Sequence, residues 1–442
     1  MKVALHNLGC KVNAYETEAM AELLKKAGYE IVPFEEEADV YIINTCTVTN
    51  MADRKSRQML HKAKKMNPNA LVVAAGCYVQ AAVGNQELSE EVETWKKNGI
   101  DLIVGNDKKN QIVEIIRERQ NAIEDINDTK MKRKFEELEI ETMEEHTRAY
   151  MKIQDGCNQF CTYCIIPYAR GRVRSRGMEE IKKEAMRLVQ SGYQEIVLTG
   201  IHLSSYGVDL EEPLTLLDVI VQLGEIPGIQ RIRLGSLEPR IITEPFMEAV
   251  SKISSFCPQF HLSLQSGCDE TLKRMNRKYT TGEYLEGCNL IRKYFPNAAI
   301  TTDIIVGFPG ETEEEFEQTM EFAKTVQFSK IHVFKYSKRE GTKAAAMKQQ
   351  VPEPVKTKRS NQLQELEQQM RTDYMKQLIG EQKEVLLEEA VLIDGERYWV
   401  GHTKEYVKVA VPYQEKLVEN TLVNLRVSDL LGSEVVVGDL DI

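Results

Sequence analysis

At 442 residues the chain is longer than one hydrophobic core usually serves, and with 42% hydrophobic and 28% charged residues it has the makeup of a soluble protein of two or three domains. Polar residues interrupt the N-terminus before a signal-peptide core could form, and no apolar run is long enough to span a bilayer, so a cytoplasmic protein with no membrane partner is expected. The formal net charge of -11 counts against nucleic acid as a partner unless basic residues cluster locally.

Short apolar runs at Lys2 to Leu8, Val40 to Asn44 and Leu71 to Ala75 alternate with helical patterns at Ala14 to Ala27, Arg54 to Lys65 and Lys108 to Glu118. This predicts an α/β unit with an open parallel sheet. Each of the three runs leads directly into a cysteine: Cys10, Cys46 and Cys77. Ligands of open parallel sheets gather at the carboxyl ends of strands, so three thiols there could converge on one point. Each alone reads as a small buried hydrophobe; at equivalent positions they suggest a three-thiolate cluster site with an open iron. No Gly-x-Gly-x-x-Gly follows the first strand, which excludes a dinucleotide-binding unit. From Ile112 to Arg148 the chain is strongly charged and reads as a solvated connector at a domain boundary.

The strand-like run Tyr150 to Gln154 stops near Gly156, and Cys157, Cys161 and Cys164 follow at once. Three thiolates from one loop leave one iron of a cubane cluster without a protein ligand, free to bind substrate. Structural zinc is the rival, but it wants four ligands, and no His or Cys completes a pair nearby downstream. Disulfides are disfavoured by the cytosolic setting and the nine cysteines, an odd number. Further strands at Glu195 to Thr199, Arg231 to Gly235, Phe260 to Gln265, Ile300 to Val306 and Ile331 to Tyr336 alternate with helices such as Glu179 to Gln190 and Glu313 to Val326. Their spacing predicts a partial β/α barrel with its site at the C-terminal strand ends. Gly200, Ser236 and Gln265 lie at such ends, where ordinary turn chemistry is the plainer reading of each. Cys257, Cys268 and Cys288 read as inert buried thiols.

Basic residues gather at Arg170, Arg172, Arg174 and Arg176, at Arg54 to Lys65, and at Lys273 to Lys278. Arginines alternating with small residues on an extended segment can align guanidinium groups for phosphates, while the helix at Arg54 reads as a solvated face. Glu353 to Leu378 predicts one connecting helix ended by Gly380. Five short strands, at Lys383 to Val391, Tyr398 to His402, Tyr406 to Val411, Thr421 to Val427 and Glu434 to Val437, predict a small β-barrel.

The Cys157 loop at a strand end resembles the signature of the radical S-adenosylmethionine (SAM) enzymes. Joined to the α/β segment carrying Cys10, Cys46 and Cys77, it resembles the radical methylthiotransferases over essentially the whole chain. Leu8-Gly9-Cys10-Lys11-Val12-Asn13 is similar to the branch acting on threonylcarbamoyl-adenosine in tRNA. The isopentenyl-adenosine branch usually has Gln-Met-Asn after the first cysteine, and the ribosomal-protein branch Pro-Lys-Asn. Gly401-His402-Thr403 with Glu405-Tyr406-Val407 resembles the TRAM domain, an oligonucleotide-binding-like barrel.

The resemblance implies two 4Fe-4S clusters, one on Cys157, Cys161 and Cys164 with an iron that chelates SAM, the other on Cys10, Cys46 and Cys77 carrying the sulfur. It places Tyr163 near the adenine, although a plain core aromatic is also possible, and points to Gly200, Ser236 and Gln265 as cofactor neighbours. It implies methylthio transfer to C2 of the modified adenosine at position 37 of tRNA, with a flavodoxin- or ferredoxin-type electron donor and a sulfur source. Arg170, Arg172, Arg174, Arg176, Lys404 and Tyr406 are the RNA-binding candidates, and Trp399 is a further stacking residue if not core. The expected division is 1–114, a linker at 115–142, a radical SAM core at 143–373 and the TRAM barrel at 374–442. Two rivals keep other targets or none: a methylthiotransferase for isopentenyl-adenosine or a ribosomal protein, and a non-enzymatic RNA-binding protein stabilised by metal.

Overall fold

Continuous apolar runs become central strands in the computed structural model, which describes residues 1–82, 90, 93, 94, 96, 97, 99–122, 134–138, 140 and 147–440. Strands β1 (Lys2–Asn7), β2 (Glu30–Val32), β3 (Val40–Thr45), β4 (Leu71–Gly76) and β5 (Leu102–Val104) form a parallel sheet in the order β2-β1-β3-β4-β5. Every residue of β3 and β4 is buried, as in strands covered on both faces. The edge strands β2 and β5 have three residues each, too short a run to stand out in the sequence. Helices Lys11–Lys26 and Asn50–Met66 start earlier than the apolar pattern suggests, the second because the Thr49 hydroxyl accepts from Ala52 N–H.

The next strands are β6 (Ala149–Lys152), the antiparallel pair β7 (Gln154–Asp155) and β8 (Arg174–Ser175), then β9 (Glu195–Thr199) and β10 (Arg231–Leu234). They continue with β11 (Ser236–Leu237), β12 (Gln259–Leu262), β13 (Ala299–Val306) and β14 (Lys330–Lys335). Two parallel sheets, β10-β9-β6 and β11-β12-β13-β14, succeed each other in chain order, interrupted at Gly235. This is the predicted partial barrel. Its covering helices include Leu216–Gly224, Thr281–Tyr294 and Glu313–Val326, each opened by a capping box: Thr215 with Asp218, Thr280 with Glu283, Thr312 with Glu315. The strand expected to run to Gln265 ends at Leu262. Gln265 instead takes a left-handed φ of 72° and joins β13 through its N–H to Asp303 O (2.8 Å) and its carbonyl to Ile305 N–H (2.9 Å).

The charged stretch read as a solvated connector requires a correction. Residues 123–133, 139 and 141–146 lie outside the described residues, but Leu138 and Ile140 are fully buried in the barrel core and Glu136 is buried beside them. The Tyr15 hydroxyl donates to Leu138 O at 2.6 Å. Apolar residues at alternate positions were masked by their charged neighbours; this part of the segment straps the first sheet to the barrel.

Helix Glu353–Gln377 runs against β14 and leads into β15 (Gln382–Ile393), β16 (Glu396–Thr403), β17 (Lys408–Pro412), β18 (Leu422–Leu431) and β19 (Val435–Leu440). These close into a barrel, β15-β16-β17-β19-β18, around Val385, Leu387, Val409, Leu425 and Val436. Glu195 on β9 bonds Arg233 Nε at 2.6 Å; Arg233 in turn donates to Lys404 O (2.8 Å), and Arg231 to Glu384 O (2.8 Å) and His402 O (2.9 Å). The C-terminal barrel is thus anchored to the central one. Among the described residues no helix is long and apolar enough to cross a membrane.

Candidate active site

After β7 the chain turns at Gly156 with φ 70°, where a Cβ would lie 1.9 Å from Arg172 O; only glycine lets the loop leave alongside the returning segment. Cys157 N–H donates to Gly171 O (3.0 Å), Gln159 N–H to Cys157 Sγ (3.4 Å) and Cys164 N–H to Cys161 O (3.0 Å). Thr162 is clamped from the far side, its N–H on Met275 O at 3.0 Å and its hydroxyl on Arg274 O at 2.9 Å. Arg277 Nη1 donates to Cys161 Sγ at 3.2 Å. Burial pushes the Cys157 thiol up to about 11 and the Cys164 thiol up to about 12, and Cys161 beside them adds to both. Bare thiolates at Cys157 and Cys164 are therefore disfavoured, whereas an iron-sulfur cluster held by the three sulfurs fits this donor set.

The other three cysteines come from separate strand ends. Leu8 N–H donates to Asn44 O at 3.0 Å, so β1 and β3 remain paired almost to their cysteines. Gly9, at φ 112°, brings the end of β1 so close that a Cβ would stand 2.9 Å from Cys46 Sγ. Cys77 opens the short helix Cys77–Ala81. Burial pushes the Cys46 thiol up to about 12, with Cys77 and Cys10 adding to the rise. Cys10 opens onto solvent, yet the walls around it desolvate its thiol and raise it, with Arg170 opposing and Cys77 reinforcing the shift. Cys46 thus lies within electrostatic reach of Cys77 and Cys10, and Cys10 within reach of Cys77.

Arg170 joins the two cysteine sets. Its Nε donates to Cys77 Sγ at 3.2 Å, Nη1 to Glu16 at 2.8 Å and to Asp155 at 3.2 Å, and Nη2 to Asn13 Oδ1 at 2.6 Å. Burial alone would raise the Glu16 carboxyl, but Arg170, Lys109 and Lys152 hold it well below the usual carboxylate range. On another side Arg339 bonds Thr47 Oγ1, Asn50 Oδ1 and Asp53 Oδ2, each at 2.6 Å, fixing the segment after Cys46 to the chain beyond β14.

Between the two sets lies a cavity of about 870 Å³, within the range of small-molecule sites. Cys10 lines it from one side and Cys157, Cys161 and Cys164 from the other; Cys46 and Cys77 do not reach its surface. Tyr163, Gly200, Ser236 and Gln265 all line it. Tyr163 is half-buried with its ring edge toward Phe308, centroids 6.5 Å apart, so the core and cofactor readings of this residue are compatible. Cys257, Cys268 and Cys288 are buried away from it.

The arginine row is not an open phosphate-binding face. Arg170, Arg174 and Arg176 are 0%, 3% and 0% exposed, and carboxylates from other elements claim them: Glu16 and Asp155 for Arg170, Asp155 for Arg174, Glu184 and Glu137 for Arg176. Arg172 alone of the four is exposed, lying over the Phe160 ring at 4.6 Å. In the third basic group Arg274 pairs with Glu315 and Arg277 serves Cys161. Lys404 donates to Ser254 O at 3.0 Å. Tyr406 belongs to the cavity wall, its ring stacked on His402 (4.4 Å) with the Arg148 and Arg233 guanidinium groups each 4.8 Å from its centroid. Trp399 stacks on Tyr413.

Glu238, at the strand end that carries Ser236, also lines the cavity; residues that sequence reasoning missed are His202, His261, Asp303 and His332, which line it too. Burial and Arg277 bring His202 down to about 4, so it is neutral near pH 7. The last three occupy inward positions of β12, β13 and β14; reading alternate positions of those strands as polar would have found them.

Residues 151–323 match the Radical SAM superfamily, and residues 2–105 match the family described as Uncharacterized protein family UPF0004. The chain is 43% identical over 421 residues to the threonylcarbamoyladenosine tRNA methylthiotransferase MtaB of Bacillus subtilis (strain 168), covering 94% of this chain and 91% of that protein. It is 41% identical to the MtaB of Aquifex aeolicus (strain VF5), covering 90% and 95%. A tRNA-2-methylthio-N(6)-dimethylallyladenosine synthase of Clostridium botulinum (strain Loch Maree / Type A3) is 39% identical, covering 86% and 84%. Among solved structures, the radical S-adenosylmethionine methyltransferase TsrM from Kitasatospora setae, with cobalamin and a [4Fe-4S] cluster bound, shares the fold at a TM-score of 0.56 and 14% identity, covering 78% of this chain and 77% of that one.

Proposed function

The chain belongs to the threonylcarbamoyladenosine branch of the radical SAM tRNA methylthiotransferases, and on that premise we propose that it places a methylthio group on C2 of N6-threonylcarbamoyladenosine at position 37 of tRNA. One observation carries the reading: a single cavity is lined by Cys10 of one cysteine trio and by all three cysteines of the other.

In this reading Cys157, Cys161 and Cys164 hold a 4Fe-4S cluster, with Tyr163, Gly200, Ser236 and Gln265 around SAM, and Cys10, Cys46 and Cys77 hold a second cluster. Bound there, these groups supply the radical that removes hydrogen from an unactivated C–H, and the sulfur that replaces it. The protein positions and shields. Arg277 offsets charge at Cys161 and Arg170 at Cys77, while the Arg170, Glu16 and Asp155 network fixes the separation of the two trios. The C-terminal barrel, read as a TRAM domain, contributes Tyr406 to the wall and would reach the tRNA with Lys404 and Arg172 as remaining basic candidates. A flavodoxin- or ferredoxin-type donor and a separate sulfur source complete the system, which we place in the cytoplasm.

The test is nucleoside analysis of tRNA from cells lacking the chain. Loss of the methylthio group from threonylcarbamoyladenosine is expected; an unchanged profile would remove the assignment, and loss from isopentenyladenosine instead would move it to the other branch.

A further inference from the structure

His261, Asp303 and His332 place one side-chain ligand atom each within 4.8 Å of one another. The register explains how: Asp303 on β13 lies directly opposite His332 on β14, and His261 on β12 opposite Thr301, one inward position below Asp303. His261 Nε2 is 3.3 Å from Asp303 Oδ2 and its Nδ1 is 3.0 Å from Thr301 Oγ1. Both nitrogens of that ring are therefore engaged, which argues against a metal centre and for a hydrogen-bonding surface. We propose that this wall is the subsite for the N6 substituent of the target adenosine, and that it selects a polar, carboxylate-bearing substituent over an apolar one. The proposal rests on the functional reading above and adds the residues that set its specificity.

Polarity carries the argument. Gln259, Ser263 and Thr301 extend the same inward face, so an aliphatic group seated there would displace water from these cavity-lining donors and acceptors without replacing its hydrogen bonds. Lys330, two residues from His332 and therefore on the same side of β14, and Lys11 across the cavity bring positive charge; neither forms an ion pair among the described residues. Phe334, at the next inward position toward the strand end that carries the cysteines, is 45% exposed and offers its ring to a base. A urea and hydroxyl meet the histidines and Asp303, a carboxylate meets the lysines, and the adenine lies against Phe334.

The test compares His332→Phe, His332→Gln and Lys330→Met with the natural enzyme, using tRNA that carries threonylcarbamoyladenosine or dimethylallyladenosine. For threonylcarbamoyl tRNA, Lys330→Met is expected to raise KM by about tenfold to a hundredfold, the scale of a lost charged hydrogen bond, and His332→Phe by about threefold to tenfold, the scale of a neutral one, each with a smaller change in kcat. The preference between the two tRNAs should narrow accordingly, and His332→Gln should recover most of it. Equal loss on both tRNAs, or no loss on either, overturns the subsite; so does a stoichiometric metal, beyond cluster iron, that disappears in His332→Phe. Failure of the natural enzyme on threonylcarbamoyl tRNA would instead sink the functional reading. Lys330 is exposed, so Lys330→Met keeps the test decisive if the His332 variants fold poorly.

Discussion

The Arg170 guanidinium donates to Cys77 Sγ at 3.2 Å while its other nitrogens bond Glu16, Asp155 and Asn13, so one fully buried side chain links Cys77, at the end of the first sheet, to the root of the Cys157 loop. Removing it leaves two buried carboxylates short of a counter-charge. Arg170→Leu is expected to cost about 3–5 kcal/mol in denaturant unfolding. Arg170→Lys keeps the charge but not the fork, and should lose iron from the anaerobically reconstituted protein with a smaller loss of stability. Full iron loading and unaltered unfolding in both variants would refute the linking role.

Gly9 is held at φ 112° with no room for a Cβ against Cys46 Sγ. Gly9→Ala combines backbone strain with a clash, so a penalty of about 1–3 kcal/mol is expected, together with weaker iron binding. Melting temperature and iron content check it, and a neutral substitution would show that the strand end is not constrained.

Glu195 gives a pH signature. Burial would raise its carboxyl, but Arg233, with Arg148 and Arg231, brings it down to about 2. A carboxylate depressed on folding stabilises the protein above its unfolded value of about 4.5, and that contribution disappears as pH falls through the folded value. Glu195→Gln should therefore cost about 3 kcal/mol near pH 7, and the gap to the natural protein should close between about pH 4.5 and 2. A gap independent of pH would mean that the charge of Glu195 is not what anchors the C-terminal barrel.

What could be read from the chain follows how local each signal is. Cys157, Cys161 and Cys164 announce themselves by spacing, and Cys10, Cys46 and Cys77 by their place after apolar strands. The arginines from Arg170 to Arg176 look like an exposed row because the carboxylates that bury them come from helix Lys11–Lys26, from β7 and from helix Met178–Gln190. Leu138 and Ile140 are hidden among glutamates, and only the fold shows that they face a core. His261, Asp303 and His332 meet because three strands align in register, a relationship that no single stretch of sequence contains.

The most direct measurement uses purified, anaerobically reconstituted enzyme with SAM, a reductant and threonylcarbamoyl tRNA, comparing the natural chain with the triple variant Cys10→Ala, Cys46→Ala, Cys77→Ala. If Cys10, Cys46 and Cys77 carry the transferred sulfur, the triple variant holds about half the iron, still cleaves SAM at the Cys157 site, and yields no methylthiolated nucleoside. Methylthiolated nucleoside from the triple variant at the natural level would contradict it.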